Sequence, residues 1–252
     1  MGTPPPWRVA VTRDEGDEGR LTSALERHGF TPVTCVVMVE GPPAAAEALA
    51  AAARSIEQYD WVVCSSARAV RALARARSSP WPRGVRTAAV GAKTAEALTA
   101  LGAHPPPVVA ADVGADALWA HLATLDTWSN RRVLVPTVPG GRRTLVDGLR
   151  GAGARVDEVE AYQMTPRAAD AIRADWMAGR PDAVVIASPS AADTLMRSLG
   201  TPGLSGVEVV AIGPTTSAAL TASGVTHTVP PQADFDAVAE HLAALRSSRH
   251  GA

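Results

Sequence analysis

Four short polar stretches carry the residue types that could meet an anion. Ser65-Ser66 follows Asp60-Trp61-Val62-Val63-Cys64, and Lys93-Thr94 follows the run through Gly91. Ser188-Pro189-Ser190 follows Asp182-Ala183-Val184-Val185-Ile186, and Thr215-Thr216 follows the run that ends at Gly213. Each lies where a β-like apolar run gives way to an alanine-rich helical pattern. The first turn of a helix leaves backbone N–H groups unpaired, and at the carboxyl end of a strand they bind anions readily. Singly, each stretch is a helix cap, and serine before Pro189 is the expected N-cap with proline at the first helical position. Together they supply donors suited to several carboxylates or phosphates without needing a basic protein.

Three further side chains bear on that chemistry. Lys93 is the only lysine among the 24 Lys and Arg residues and falls in a first helical turn, where the macrodipole disfavours a cation. A bound anion would relieve this, and so would plain solvation. Arg13 follows the first strand and either leans over the same region or is an ordinary surface arginine. Tyr162 is one of two tyrosines and ends a long β-like run. Its phenol can donate a proton to a leaving group or simply pack at a domain edge. Tyr59 precedes a strand and reads as structural. The chain has no G-x-G-x-x-G, G-x-x-x-x-G-K, H-E-x-x-H or C-x-x-C, which disfavours nucleotide binding and metal hydrolysis.

The elements that position these residues are duplicated. VRTAAVGAKTAEALTALGA (85–103) and VEVVAIGPTTSAALTASGV (207–225) share nine of nineteen residues, and each closes its helix with a glycine, Gly102 or Gly224. Arg8, Val9, Val11, Leu21, Leu25 and Gly29 recur as Arg132, Val133, Val135, Leu145, Leu149 and Gly153. The runs Val33–Val39 and Arg155–Thr165 read as proline-broken strands, followed by helices over 44–57 and 168–178. Final helices are expected over 116–122 and 236–242, with a frayed tail after Leu245. The spacing predicts two α/β units, 8–122 and 132–242, each with a parallel sheet flanked by helices.

Composition bounds the function. A hydrophobic content of 46% allows a substantial core, and a net charge of −1 gives no global field for nucleic acid or an acidic membrane. The start of the chain lacks the pattern of a signal peptide and no apolar run approaches ~20 residues, so a cytoplasmic protein is expected. Cys35 and Cys64 fall in runs that read as buried strands, where packing is favoured over a disulfide or a metal pair.

With these residues laid out, the chain resembles uroporphyrinogen-III synthase from end to end. VAVTR, the strand into Ser65-Ser66, AVGAKTAEAL, RRVLVP, VDEVEAYQMTP, the strand into ASPSA and AIGPTTSAAL carry the resemblance in order. It implies two α/β domains joined by a two-stranded ladder, with residues 1–36 and 167–252 in one, 41–160 in the other, and linker strands at 33–41 and 157–165. It also implies a cofactor-free lyase of tetrapyrrole and heme biosynthesis that closes hydroxymethylbilane into uroporphyrinogen III while inverting the terminal ring. The substrate would be a small molecule with eight carboxylates, met by Arg13, Ser65, Ser66, Lys93, Thr94, Ser188, Ser190, Gly213, Thr215 and Thr216 across an interdomain cleft. Tyr162 matches the tyrosine the family invokes to assist departure of the hydroxyl. A monomer without metal, nucleic acid or membrane is implied. The rival reading is a non-catalytic tetrapyrrole- or anion-binding protein on the same fold.

Overall fold

A computed structural model describes residues 6–16, 19–112 and 114–250. Most of the proline-rich lead-in, Asp17-Glu18 and the last two residues of the tail lie outside the described residues. The chain forms two compact units, unit 1 from the residues up to Val39 and from Met164 onward, and unit 2 from Glu40–Gln163. Unit 1 begins with β1 (Arg8–Val11), α1 (Arg20–Arg27) and β2 (Thr31–Thr34), and β3 (Met38–Gly41) leads into unit 2. There α2 (Ala46–Arg54), β4 (Trp61–Cys64), α3 (Ala67–Arg75), β5 (Arg86–Ala89), α4 (Ala92–Ala100) and β6 (Val108–Val109) come first. They are followed by α5 (Ala115–Leu125), β7 (Arg132–Thr137), α6 (Thr144–Gly151) and β8 (Arg155–Glu160). The chain returns along β9 (Gln163–Pro166) and completes unit 1 with α7 (Ala169–Gly179), β10 (Ala183–Ile186), α8 (Pro189–Leu199), β11 (Glu208–Ala211), α9 (Pro214–Ala222) and α10 (Phe235–His250).

Both main sheets are parallel and share one strand order. Unit 2 reads β6-β5-β4-β7-β8, so the winding reverses between β4 and β7. Unit 1 reads β11-β10-β1-β2, with Thr228 bridged to Val210 outside β11, and reverses between β10 and β1. The central strands Ala183–Ile186 and Trp61–Cys64 are buried along their whole length, as expected where helices cover both faces of a parallel sheet. β3 and β9 form a separate two-stranded antiparallel sheet, within which both crossings of the chain occur. This is an α/β fold of two similar domains, each a parallel sheet flanked by helices, with an internal duplication.

The expected sequential units 8–122 and 132–242 are corrected. Each compact unit takes strands from both copies of the repeat, β1 and β2 with β10 and β11, and β4 to β6 with β7 and β8. One bond repeated in both units records the exchange. Asp60 accepts the Arg132 backbone N–H through Oδ2 at 2.8 Å, and its counterpart Asp182 accepts the Arg8 N–H at the same distance.

Three local expectations also change. The run Val33–Val39 is not one strand: β2 ends at Thr34, and Cys35 and Val37, 1% and 0% exposed, still donate their backbone N–H groups to the carbonyls of Val11 and Thr12 at 3.0 Å while their side chains join the core cluster of Ile172 and Trp176. The run Arg155–Thr165 splits likewise at Ala161-Tyr162, which enter the core of unit 2. The linker ladder is therefore Met38–Gly41 with Gln163–Pro166, while β2 and β8 belong to the main sheets. Nor does the helix fray at Leu245. Arg246 donates to the carbonyls of Gly29 and His28 at 3.0 and 3.2 Å and covers the Phe30 ring, and Arg249 pairs with Glu208 at 3.0 Å and covers Trp7. Arg246 on the orphan carbonyls that end α1, with Arg249 on Glu208, accompanies the continuation of α10 to His250.

Candidate functional site

In an open α/β sheet, ligands meet the crevice outside the carboxyl ends of the strands where the winding reverses. In unit 2 that place is opened by the loops after β4 and β7, and in unit 1 by the loops after β10 and β1. The sequence builds the flanking helices alike in both. Ser66 and Ser188 cap α3 and α8, accepting the backbone N–H of Ala69 at 3.1 Å and of Ala191 at 3.2 Å. At the other end of α4 and α9, Gly102 and Gly224 adopt φ of 88° and 69°. Ala103 and Val225 then bond back to the carbonyls of Leu98 and Leu220, the closed C-terminal motif that fixes where each helix stops.

The structure gathers the expected residues into two groups. Ser65, Ser66, Lys93 and Thr94 lie at the carboxyl ends of the paired strands β4 and β5. Ser188, Ser190, Gly213, Thr215 and Thr216 do so at β10 and β11, with Arg13 beyond β1. Thr94 and Thr216 each occupy the third helical position and are 6% and 1% exposed. Those two turns therefore offer chiefly backbone N–H groups together with Lys93 and Thr215, which are exposed. Arg13 stands 4.0 Å from Glu15 and 5.0 Å from the Phe235 ring centroid. Tyr162 follows the edge strand β8 of unit 2, is 8% exposed, and belongs to the core cluster of that unit that also holds Tyr59 and Leu134.

Some residues that shape the two reversals went unread in the sequence. Thr12, 1% exposed, donates its hydroxyl to the Val185 carbonyl at 2.7 Å and ties the end of β1 to β10. Glu15 accepts the N–H groups of Leu21 and Thr22 at 3.0 and 2.7 Å, occupying the first turn of α1. After β7, Val138-Pro139-Gly140-Gly141 closes a turn with a 3.0 Å bond from Gly141 N to the Val138 carbonyl and Gly140 at φ 70°. Proline then glycine at the centre of such a turn suits type II, and Pro-Gly-Gly in the sequence was the signal that could have found it. A Cβ on Gly141 would stand 3.0 Å from that carbonyl, a tight contact that favours glycine there. The turn carries Arg143, which pairs with Glu158 at 3.1 Å and Asp147 at 3.3 Å, and the exposed Arg142, which makes no ion pair among the described residues.

Other ionisable groups are held out of the chemistry. Burial pushes the Cys35 thiol up to about 11 and the Cys64 thiol up to about 12, so neither is a thiolate at neutral pH. Burial, and then the bond from its hydroxyl to Asp157 at 2.8 Å, raises the Tyr59 phenol to about 12.

The family model described as uroporphyrinogen-III synthase HemD matches residues 19–240, which takes in all of these turns except the loop after β1 with Thr12, Arg13 and Glu15. The chain belongs to the uroporphyrinogen-III synthase family. Within that family it is similar to the uroporphyrinogen-III synthase of Synechococcus elongatus, at 30% identity over 62% of this chain and 60% of that protein. It is also similar to the chloroplastic uroporphyrinogen-III synthase of Oryza sativa subsp. japonica, at 26% identity over 86% of this chain and 73% of that one. Among solved structures, the uroporphyrinogen-III synthetase of Helicobacter pylori shares the fold with a TM-score of 0.63 at 15% identity, over 95% of this chain and 99% of that one. A mutant uroporphyrinogen III synthase of Thermus thermophilus does so with a TM-score of 0.55 at 21% identity, over 96% and 99%.

Proposed function

We propose that this chain cyclises hydroxymethylbilane to uroporphyrinogen III, inverting the terminal pyrrole ring and releasing water, as a cofactor-free lyase of tetrapyrrole biosynthesis. The observation that carries the reading is the family match across residues 19–240, which contain the strand-end turns after β4, β5, β10 and β11. Loss of the substrate hydroxyl leaves a cationic azafulvene. Attack on it by the substituted carbon of the terminal ring forms a spiro intermediate, whose reopening and closure place that ring in inverted orientation. The reaction needs no strong nucleophile. Holding the bilane folded, with its last ring in reach of the cation, removes much of the entropic barrier.

In this reading the turns at Ser65-Ser66 and Lys93-Thr94, and those at Ser188–Ser190 and Gly213–Thr216, take substrate carboxylates through backbone N–H groups, exposed hydroxyls and the Lys93 ammonium. Arg13 contributes a guanidinium shared with Glu15. Tyr162 donates its phenolic proton to the departing hydroxyl, which leaves as water. Among the described residues no helix is long and apolar enough to cross a membrane. A cytoplasmic monomer that needs neither nucleic acid nor a membrane completes the proposal.

The test is to supply hydroxymethylbilane to purified protein without metal or nucleotide and to resolve isomer III from isomer I. The expected product is mainly isomer III. Isomer I at the spontaneous rate would instead assign the chain to the non-catalytic binding class.

A further inference from the structure

Helix α3 starts at the strand reversal of unit 2 and carries a charged face that the turn residues do not explain. Arg68, Arg71 and Arg75 are spaced by three and four positions, so they line one side of the helix over roughly 10 Å. Ala69, Val70, Ala72 and Leu73 take the opposite, buried side. The carboxylate recorded on this face is Glu40, which reaches Arg75 at 2.8 Å and Arg68 at 3.7 Å. Arg71, exposed between them, makes no ion pair among the described residues. Like charges at these spacings repel and weaken a helix, and neutral residues would serve an exposed face better. With a net charge of −1, the protein has no overall field to draw in an anion, so a local stripe has to supply it.

We propose that the Arg68, Arg71 and Arg75 face of α3 is a guiding surface that captures a polycarboxylate and delivers it to the turn at Ser65-Ser66. The proposal rests on the functional reading above for the identity of that polycarboxylate, a linear or cyclic tetrapyrrole. The stripe begins in the first turn of α3, one residue beyond the Ser66 cap and its neighbour Ala67, and runs away from the reversal. Its effect falls on the rate of association and leaves the chemical step alone. An anion drawn along a basic face arrives faster at low salt, and the advantage disappears once the screening length falls below the stripe's dimensions.

Stopped-flow quenching of tryptophan fluorescence by uroporphyrin III, an octacarboxylate, measures this in the intact chain. Arg71→Gln is expected to lower the association rate about threefold at about 20 mM salt, and Arg71→Glu about tenfold, with the differences gone above about 0.5 M. Arg54→Gln alters net charge equally on an exposed residue of α2 and is expected to change nothing. Dissociation rates, and the turnover of hydroxymethylbilane at saturation, are expected to stay as in the parent. Equal losses for Arg54→Gln and Arg71→Gln, losses that persist at high salt, or no binding of uroporphyrin III by the parent protein would each overturn the guiding surface. If the parent yields only isomer I while association still depends on Arg71, the surface stands and the catalytic reading falls.

Discussion

Units 1 and 2 open the same pair of loops at their strand reversals and fill the second one differently. In unit 1, Glu15 sits on the N–H groups of Leu21 and Thr22, its side chain 8% exposed, so the first turn of α1 already holds a carboxylate of the chain itself. In unit 2 the corresponding helix α6 has no side-chain cap, and the N-cap Arg143 turns its guanidinium to Glu158 and Asp147. The first loops, by contrast, end in matching serine caps at 3.1 and 3.2 Å. The amino-terminal side of each sheet keeps matching aspartate bonds at 2.8 Å. A duplicated frame retains the bonds that hold its sheets and lets the second loops at its strand reversals diverge, because a lost cap or ladder bond costs stability wherever it occurs.

The largest break in the symmetry between the units should come from Tyr162, whose proposed acid role has no counterpart in unit 1. Tyr162→Phe keeps the buried ring and removes the proton, so isomer III formation should fall about a hundredfold or more while the melting temperature stays near the parent value. A rate within threefold of the parent removes Tyr162 from the chemistry.

Next in size is a latch peculiar to unit 2. Asp126 accepts the Trp61 indole N–H at 3.1 Å and pairs with Arg131 at 3.0 Å and Arg86 at 3.3 Å. Burial alone would raise its carboxyl, but the bonds from Trp61 and Arg131 outweigh that and hold it below the ordinary carboxylate value. A depressed folded pKa contributes stability above the unfolded value of about 3.9, and this is lost as the pH falls through the folded value. Asp126→Asn should therefore cost about 2 kcal/mol in urea unfolding at pH 7, with the gap narrowing as the pH drops below about 4. A gap of the same size at pH 7 and pH 3 would show that ionisation plays no part.

Glu15→Ala sharpens the contrast at the second loops. Removing the carboxylate from the first turn of α1 should cost about 1 kcal/mol, by analogy with the loss of a cap. It should also make added sulfate more stabilising than it is for the parent, since the vacated N–H groups become an anion site like any uncapped helix start. Identical sulfate dependence in thermal melts would mean that the loop collapses onto those groups.

Smallest and most alike should be the two serine caps. Ser66→Ala and Ser188→Ala should each cost about 1 kcal/mol and slow isomer III formation tenfold or less, because the backbone N–H donors remain. A large loss at only one of them would show that its hydroxyl, and not the backbone, meets the substrate.

Much of this could be read from the residues, for reasons that stay local. Ser188 before Pro189 caps α8, and Gly102 and Gly224 end α4 and α9 at positive φ, because capping depends on a few neighbouring atoms. The two groups of turns were found for the same reason. Glu15 was missed because its partners lie six and seven residues on, across a loop with no regular period. Thr12 was missed because its partner, Val185, is 173 positions away. The splits at Cys35–Val37 and Ala161-Tyr162 were hidden because an apolar run looks the same whether it continues a ladder or turns into a core. The extension of α10 depended on Arg246 finding the end of α1, which no spacing within the last helix could show.

The sequence by itself determined that the chain is a duplication, that each copy alternates strands and helices, and where the polar turns follow the strands. Which copy supplies which strand to a sheet was decided only in the folded chain. Arg8-Val9 and Arg132-Val133 are the same dipeptide, so Asp60 and Asp182 each meet equivalent partners whichever way the copies combine. These two bonds therefore do not by themselves select one combination. The crossings in β3 and β9 lift that degeneracy by carrying β4 away from β1 and towards β7, so that Asp60 meets Arg132 and Asp182 meets Arg8.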